Sequence, residues 1–105
     1  MTPRSTILLA ACMAALAALP AQAASPARGR PLVQRNCGVC HSTASKGNSP
    51  NPMAPPLRAL HKRYPIESLG EALAEGINTG HADMPAFELS PDQIHDLLSY
   101  LKTLE

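Results

Sequence analysis

The stretch CGVCH, residues 37–41, places two cysteines and a histidine within five positions of a chain of 105 residues. Because the whole chain has three cysteines, Cys37 and Cys40 hold most of its thiol chemistry. A C-x-x-C pair occurs in structural disulfides, in halves of zinc sites and in thiol–disulfide redox pairs. In a fourth kind of site, the motif is the covalent attachment point of a larger chemical group. The residues outside the motif distinguish between these four kinds of site.

The rest of the sequence does not support any of the first three kinds of site. A common zinc site requires a second ligand pair, but no further cysteine follows Cys40 and the other histidines are widely separated (His61, His81 and His95). A thioredoxin-like pair is expected beside a βαβ unit, and no stretch alternates as a strand does. A plain disulfide leaves His41 unexplained.

The pattern C-x-x-C-H is typical of covalent attachment of c-type haem. In that reading Cys37 and Cys40 form thioether bonds with the two vinyl groups, and His41 follows directly so that its imidazole binds the iron. Gly38 and Val39 act as compact spacers. A haem also supplies the large apolar body that the chain lacks, since it has no Trp, one Phe and two Tyr.

The first 23 residues are predicted to be a secretory signal peptide that is cleaved after Ala23. Arg4 is the only charged residue before Arg28, residues 7–19 are continuously apolar, and PAQA provides an A-x-A cleavage site. The apolar stretch is short, since about 20 residues are needed to span a bilayer. We therefore expect a periplasmic domain of residues 24–105 without a transmembrane span in the mature protein.

A minor alternative concerns Cys12, because LAAC at residues 9–12 is similar to a lipoprotein cleavage box. The apolar run continues past Cys12, which favours the longer signal peptide over lipidation. Detection of a lipid on Cys12 in the mature protein would support the alternative.

Charge is distributed unevenly between the two halves of the chain. Residues 28–63 hold seven basic side chains and no acid, whereas residues 64–105 hold eight acids and one lysine. The basic residues are dispersed and aromatic residues are scarce, which argues against a nucleic-acid partner. The two halves are either solvated helix faces or a charged surface that steers a partner.

The apolar spacing predicts an all-α domain of three to five short helices. Ser90, Pro91 and Gln93 form a helix start with a capping box, and apolar residues then recur at helical spacing. The predicted helices cover residues 31–37, 57–63, 66–76 and 91–104. Residues 24–29 are expected to be a loose leader, and residues 42–56, rich in Pro, Ser and Asn, an irregular loop.

Met84 is the best candidate for a second axial ligand to the iron. It precedes Pro85, which restricts the backbone of the residue before it and so limits where the thioether can lie. His81 is the main competitor, because bis-histidine ligation is chemically sound. The weaker candidates are His61, His95 and Met53, and a five-coordinate iron without a second protein ligand is the remaining option.

Four stretches together resemble the class I monohaem cytochromes c of bacterial periplasms, in the order of that family: GRPLVQRNCGVCH, APPLRAL, MPAF and LLSYLKTL. The resemblance implies short helices around one covalent haem c, with the first and last helices packed together. It implies that Met84 is the distal ligand, that Phe87 packs close to the haem, and that a carbonyl of Pro55 or Pro56 accepts the Nδ1–H of His41.

The resemblance also implies electron transfer without catalysis, since an iron bound by His and Met has no open site for a substrate. The expected partners are a donor dehydrogenase or cytochrome complex and an acceptor oxidase or reductase. Two alternatives stay open: a five-coordinate haem enzyme or gas sensor, and a haem subunit of a periplasmic dehydrogenase complex.

Overall fold

The computed structural model describes residues 22–76 and 84–105. Within these residues there are three α-helices and one 3-10 helix and no strand. In chain order they are α1 (Pro26–Cys37), the 3-10 helix (Leu57–Lys62), α2 (Ile66–Glu75) and α3 (Pro91–Lys102). The prediction of an all-α domain of three to five short helices is therefore confirmed.

Helix α1 begins earlier than predicted, and residues 24–29 are not a loose leader. The helix starts at Pro26, and the Ser25 side chain accepts a hydrogen bond from the backbone N–H of Arg28 at 3.2 Å. A serine cap followed by a proline in the first turn is a strong start signal, because proline lacks only an N–H that has no helical partner there. Pro31, the predicted first residue, lies inside the helix.

Helices α1 and α3 cross at Gly29, where their backbones are in close contact. A Cβ atom on Gly29 would lie 1.9 Å from the backbone oxygen of Asp96, so any other residue would force the helices apart. Beside the crossing, Val33, Leu97 and Leu101 are almost completely buried. The predicted packing of the first helix against the last is confirmed.

The buried carboxylate of Asp96 connects the start of α1 to α3 by hydrogen bonds. Asp96 accepts hydrogen bonds from the backbone N–H of Ser25 at 2.8 Å and from Nε of Arg28 at 2.9 Å. The hydrogen bond from Arg28, and then that from Ser25, lower the pKa of Asp96 below its ordinary value. Arg28 also donates to the carbonyl of Ala23 at 2.7 Å, so the residues just before α1 are held as well.

The 3-10 helix and α2 complete the hydrophobic core, and α2 packs against α3. Their buried side chains are Leu57, Leu60, Ile66 and Leu73. Helix α2 ends at Glu75, and the next residue, Gly76, has a φ of 82°, in the left-handed region that favours glycine. Both elements were predicted, and the loop of residues 42–56 is irregular as expected.

Helix α3 has the capping box predicted for it. The Ser90 side chain accepts from the backbone N–H of Gln93 at 3.2 Å, and the Gln93 side chain accepts from the N–H of Ser90 at 2.9 Å. Of its apolar residues, Ile94, Leu97 and Leu101 are buried.

Two parts of the predictions lie outside the described residues. The proposed signal peptide falls there up to residue 21, with Cys12 in it, and so does the segment of residues 77–83 that contains His81. Among the described residues, no helix is both long enough and apolar enough to cross a membrane.

Candidate functional site

The motif of residues 37–41 lies at the end of α1 and in the tight turn that follows. Cys37 is the last residue of α1, and its carbonyl accepts from the N–H of Cys40 at 3.2 Å and of His41 at 2.9 Å. This turn brings the two cysteines and the histidine to one end of the helix. A Cβ on Gly38 would lie 2.4 Å from the Gln34 carbonyl oxygen, so the first spacer has to be small.

The thiols of Cys37 and Cys40 are not bonded to each other, and their surroundings differ. Neither Cys37 nor Cys40 is in a disulfide, and both are partly buried. Cys37 packs against the hydrophobic core, and burial raises the pKa of its thiol to about 11. Both sulfurs are therefore available for bond formation, with Cys37 on the core side.

The ring of His41 is oriented by the proline-rich loop. Its Nδ1 lies 2.6 Å from the carbonyl oxygen of Pro55. A carbonyl only accepts, so Nδ1 carries the hydrogen and donates it, and a neutral ring then has its lone pair on Nε2. The bond that the family resemblance implied is present, and it prepares Nε2 to bind a metal.

The backbone just after His41 forms hydrogen bonds with three other parts of the molecule. The N–H of Ser42 donates to the Ser49 hydroxyl at 2.9 Å, and the carbonyl of Ser42 accepts from the N–H of Leu57 at 3.0 Å. The Tyr100 hydroxyl on α3 donates to the carbonyl of Thr43 at 2.6 Å. No sequence signal singled out Tyr100, because the two bonded residues are far apart in the chain.

Met84 is partly buried and packs against the same hydrophobic core as Cys37. Phe87, three residues later, also packs against this core. Met84, Phe87 and Cys37 thus contact one hydrophobic core.

The other candidates for the second ligand are placed differently. Met53 is 73% exposed and His95 is exposed on α3. Nδ1 of His61 is buried and has no hydrogen-bond partner among the described residues. His81 falls in the segment that the structure does not describe.

The donor set fits a covalent haem better than a metal ion held by side chains alone. The described residues contain no group of three or more His, Cys, Asp or Glu side chains that could hold a metal ion. Two free thiols next to one histidine with its lone pair on Nε2 are what a thioether-linked iron porphyrin needs. The motif thus combines two free thiols and one oriented ring nitrogen.

Comparison with known proteins gives a consistent result. Residues 26–105 match the protein-family model described as "Cytochrome c". The chain is 35% identical over 77 residues to the protein called "Cytochrome c-553-like" in Synechocystis sp., which covers 73% of this chain and 67% of that protein. No solved structure is significantly similar to the chain.

Proposed function

This chain belongs to the cytochrome c family, and from that premise we propose that it is a periplasmic electron carrier with His41 and Met84 as its axial ligands. As a class I monohaem cytochrome c, it holds one haem c covalently and transfers electrons. The haem iron supplies a one-electron couple between its ferrous and ferric states. The side chains around it bind, orient and shield the haem.

Cys37 and Cys40 are the attachment residues in this proposal. Each sulfur would form a bond to one carbon of a haem vinyl group while the thiol proton would go to the other carbon, so the addition would need no oxidant. The absence of a disulfide between them and their position in one tight turn support this role.

The contact between His41 and Pro55 is the observation that carries the proposal. A metal-binding histidine usually donates its second ring N–H to a carbonyl or carboxylate, which fixes the tautomer and makes the other nitrogen a stronger donor. The 2.6 Å distance from Nδ1 to the Pro55 oxygen meets this requirement. His41 is thus the proximal ligand.

Met84 is the distal ligand in this proposal. A thioether is a soft ligand that favours the ferrous state, so His/Met ligation gives a higher potential than bis-histidine ligation. The core against which Met84 packs is rich in leucine, which supports an apolar setting for the thioether. With both axial positions filled by the protein, substrate has no open position, and the protein acts as a carrier.

We place the protein in the periplasm, with residues 1–23 as the cleaved signal peptide. The apolar run and the A-x-A site support export, and haem attachment takes place outside the cytoplasm. Its partners are then a donor dehydrogenase or cytochrome complex and an acceptor oxidase or reductase. N-terminal sequencing of the mature protein is expected to start at Ala24.

The ligands are tested by substituting the two methionines of the described residues separately. Met84→Ala is expected to keep the covalent haem but to lose the absorption band near the red end of the ferric spectrum, which reports methionine ligation. Met53→Ala is the matched control, since Met53 is 73% exposed, and it is expected to keep the band.

The main rival is a five-coordinate haem enzyme or gas sensor. It would be supported if the wild-type protein lacked this band and bound carbon monoxide rapidly. Purified periplasmic protein without covalently bound haem would contradict the proposal as a whole.

A further inference from the structure

We propose that Tyr100 is a positioning residue for the proximal side of the haem site. Its hydroxyl donates to the carbonyl of Thr43 at 2.6 Å, two residues after His41. The bond holds the backbone on which the proximal histidine lies in a fixed position relative to α3. This inference rests on the proposed role of His41 as iron ligand.

Tyr100 differs from the other two residues that bind this stretch of backbone. Ser49 lies in the irregular loop and Leu57 is the first residue of the 3-10 helix. Tyr100 lies in α3, whose backbone is fixed by the close crossing with α1 at Gly29. Of these three residues, Tyr100 therefore connects the segment to the helix pair that holds the largest fully buried side chains, Val33, Leu97 and Leu101.

The surroundings of Tyr100 suit this role. Its ring packs against the hydrophobic core, while its hydroxyl reaches out to the loop. Tyrosine provides such an apolar body with one polar end. The bond is part-buried. If the Tyr100 hydroxyl is removed, water can therefore replace its hydrogen bond to the Thr43 carbonyl only incompletely.

The bond affects the iron through the orientation of His41. The ring donates to Pro55 from one side, while its backbone is continuous with Ser42 and Thr43. If the backbone at Thr43 loosens, the Nδ1–H bond to Pro55 lengthens or bends. The ring then becomes a weaker electron donor, the ferric state is less stabilised, and the midpoint potential rises.

The test is Tyr100→Phe in the haem-loaded protein, because phenylalanine keeps the ring and removes only the hydroxyl. Tyr64→Phe is the matched control: Tyr64 is the other tyrosine of the chain, and it is 38% exposed. Three quantities are compared with wild type: the midpoint potential, the hyperfine-shifted proton resonances of the His41 ring in the ferric protein, and amide hydrogen exchange at Ser42.

Tyr100→Phe is expected to raise the midpoint potential, to shift the His41 resonances and to speed exchange at Ser42 roughly three- to tenfold, the range expected for one hydrogen bond. Tyr64→Phe is expected to change none of them. Unchanged potential and His41 resonances in Tyr100→Phe would overturn the inference, even if the variant were less stable. Absence of hyperfine-shifted His41 ring resonances in the wild type would instead contradict His41 ligation itself.

Discussion

The crossing of α1 and α3 and the loop of residues 38–56 are held together in different ways. The two helices share nearly completely buried side chains, such as Val33 and Leu97, and their backbones touch at Gly29. In the loop, Ser42 is the only buried residue. Its backbone is held by individual hydrogen bonds to Ser49 and Leu57. Buried apolar area stabilises the helix pair, whereas the loop that contains His41 has little buried area of its own, and we expect its order to depend on the bound haem.

Preventing haem attachment is the strongest test of this difference. In the Cys37→Ser/Cys40→Ser variant, we expect amide exchange in residues 38–56 to become about 100-fold faster or more, since regions with few buried contacts open first. Amides at the contact between α1 and α3 are expected to keep measurable protection. Equal loss of protection in both regions would show that the helix pair also depends on the haem.

Gly29→Ala is expected to have the next largest effect, and it acts on the helix pair. The new Cβ would lie 1.9 Å from the backbone oxygen of Asp96, and a backbone cannot move aside as a flexible side chain does. We expect the free energy of unfolding, measured with urea, to fall by about 3 kcal/mol or more.

Gly70→Ala is the matched control, because Gly70 is also within a helix and faces α3. Its Cβ would lie 3.1 Å from Cδ1 of Leu98, the end of a flexible side chain. The higher helix propensity of alanine offsets this contact, so the change is expected to stay within about 1 kcal/mol. Similar losses in both variants would mean that the crossing at Gly29 has no special role.

Much of the helical frame could be predicted from the sequence, because its signals are local. Ser90 and Pro91 mark the start of α3, and the leucines that follow recur at helical spacing. The same signal, Ser25 followed by Pro26, marks the start of α1. It was missed because Pro31 offered a second plausible start and because residues 24–29 contain few apolar residues.

The site could be predicted only in part. CGVCH predicts the attachment residues, because five adjacent positions carry the whole pattern. The bond from His41 to Pro55 was expected from the family resemblance, and no spacing rule gives it. The bond from Tyr100 to Thr43 was not foreseen, because it joins residues 57 positions apart and depends on how α3 packs against the loop.

Asp96→Asn is expected to have a moderate effect that depends on pH. Hydrogen bonds from Arg28 and Ser25 lower the pKa of Asp96 from its ordinary 3.8. The carboxylate therefore stabilises the fold above about pH 4, and this contribution is lost as the pH falls through the lowered pKa. Unfolding free energies from pH 2 to 6 should show a shallower decline on acidification in Asp96→Asn than in wild type.

Glu71→Gln is the control for this pH series. It also removes one carboxylate, but Glu71 is exposed on α2. We expect its pH dependence to follow that of the wild type. If Asp96→Asn kept the full decline on acidification, the acid sensitivity would have to come from other carboxylates.

The smallest effect is expected at the ion pair between Lys102 and Glu67, which joins α3 to α2. The side chains are 50% and 65% exposed, whereas that of Asp96 is 11% exposed. Solvent and salt screen an exposed pair, and ordering two long side chains offsets much of the attraction. Lys102→Met, which keeps most of the apolar stem, should leave urea unfolding unchanged within error at physiological salt. A loss as large as that of Asp96→Asn at neutral pH would show that burial is not what separates the two ion pairs, and that α2 depends on charge to stay against α3.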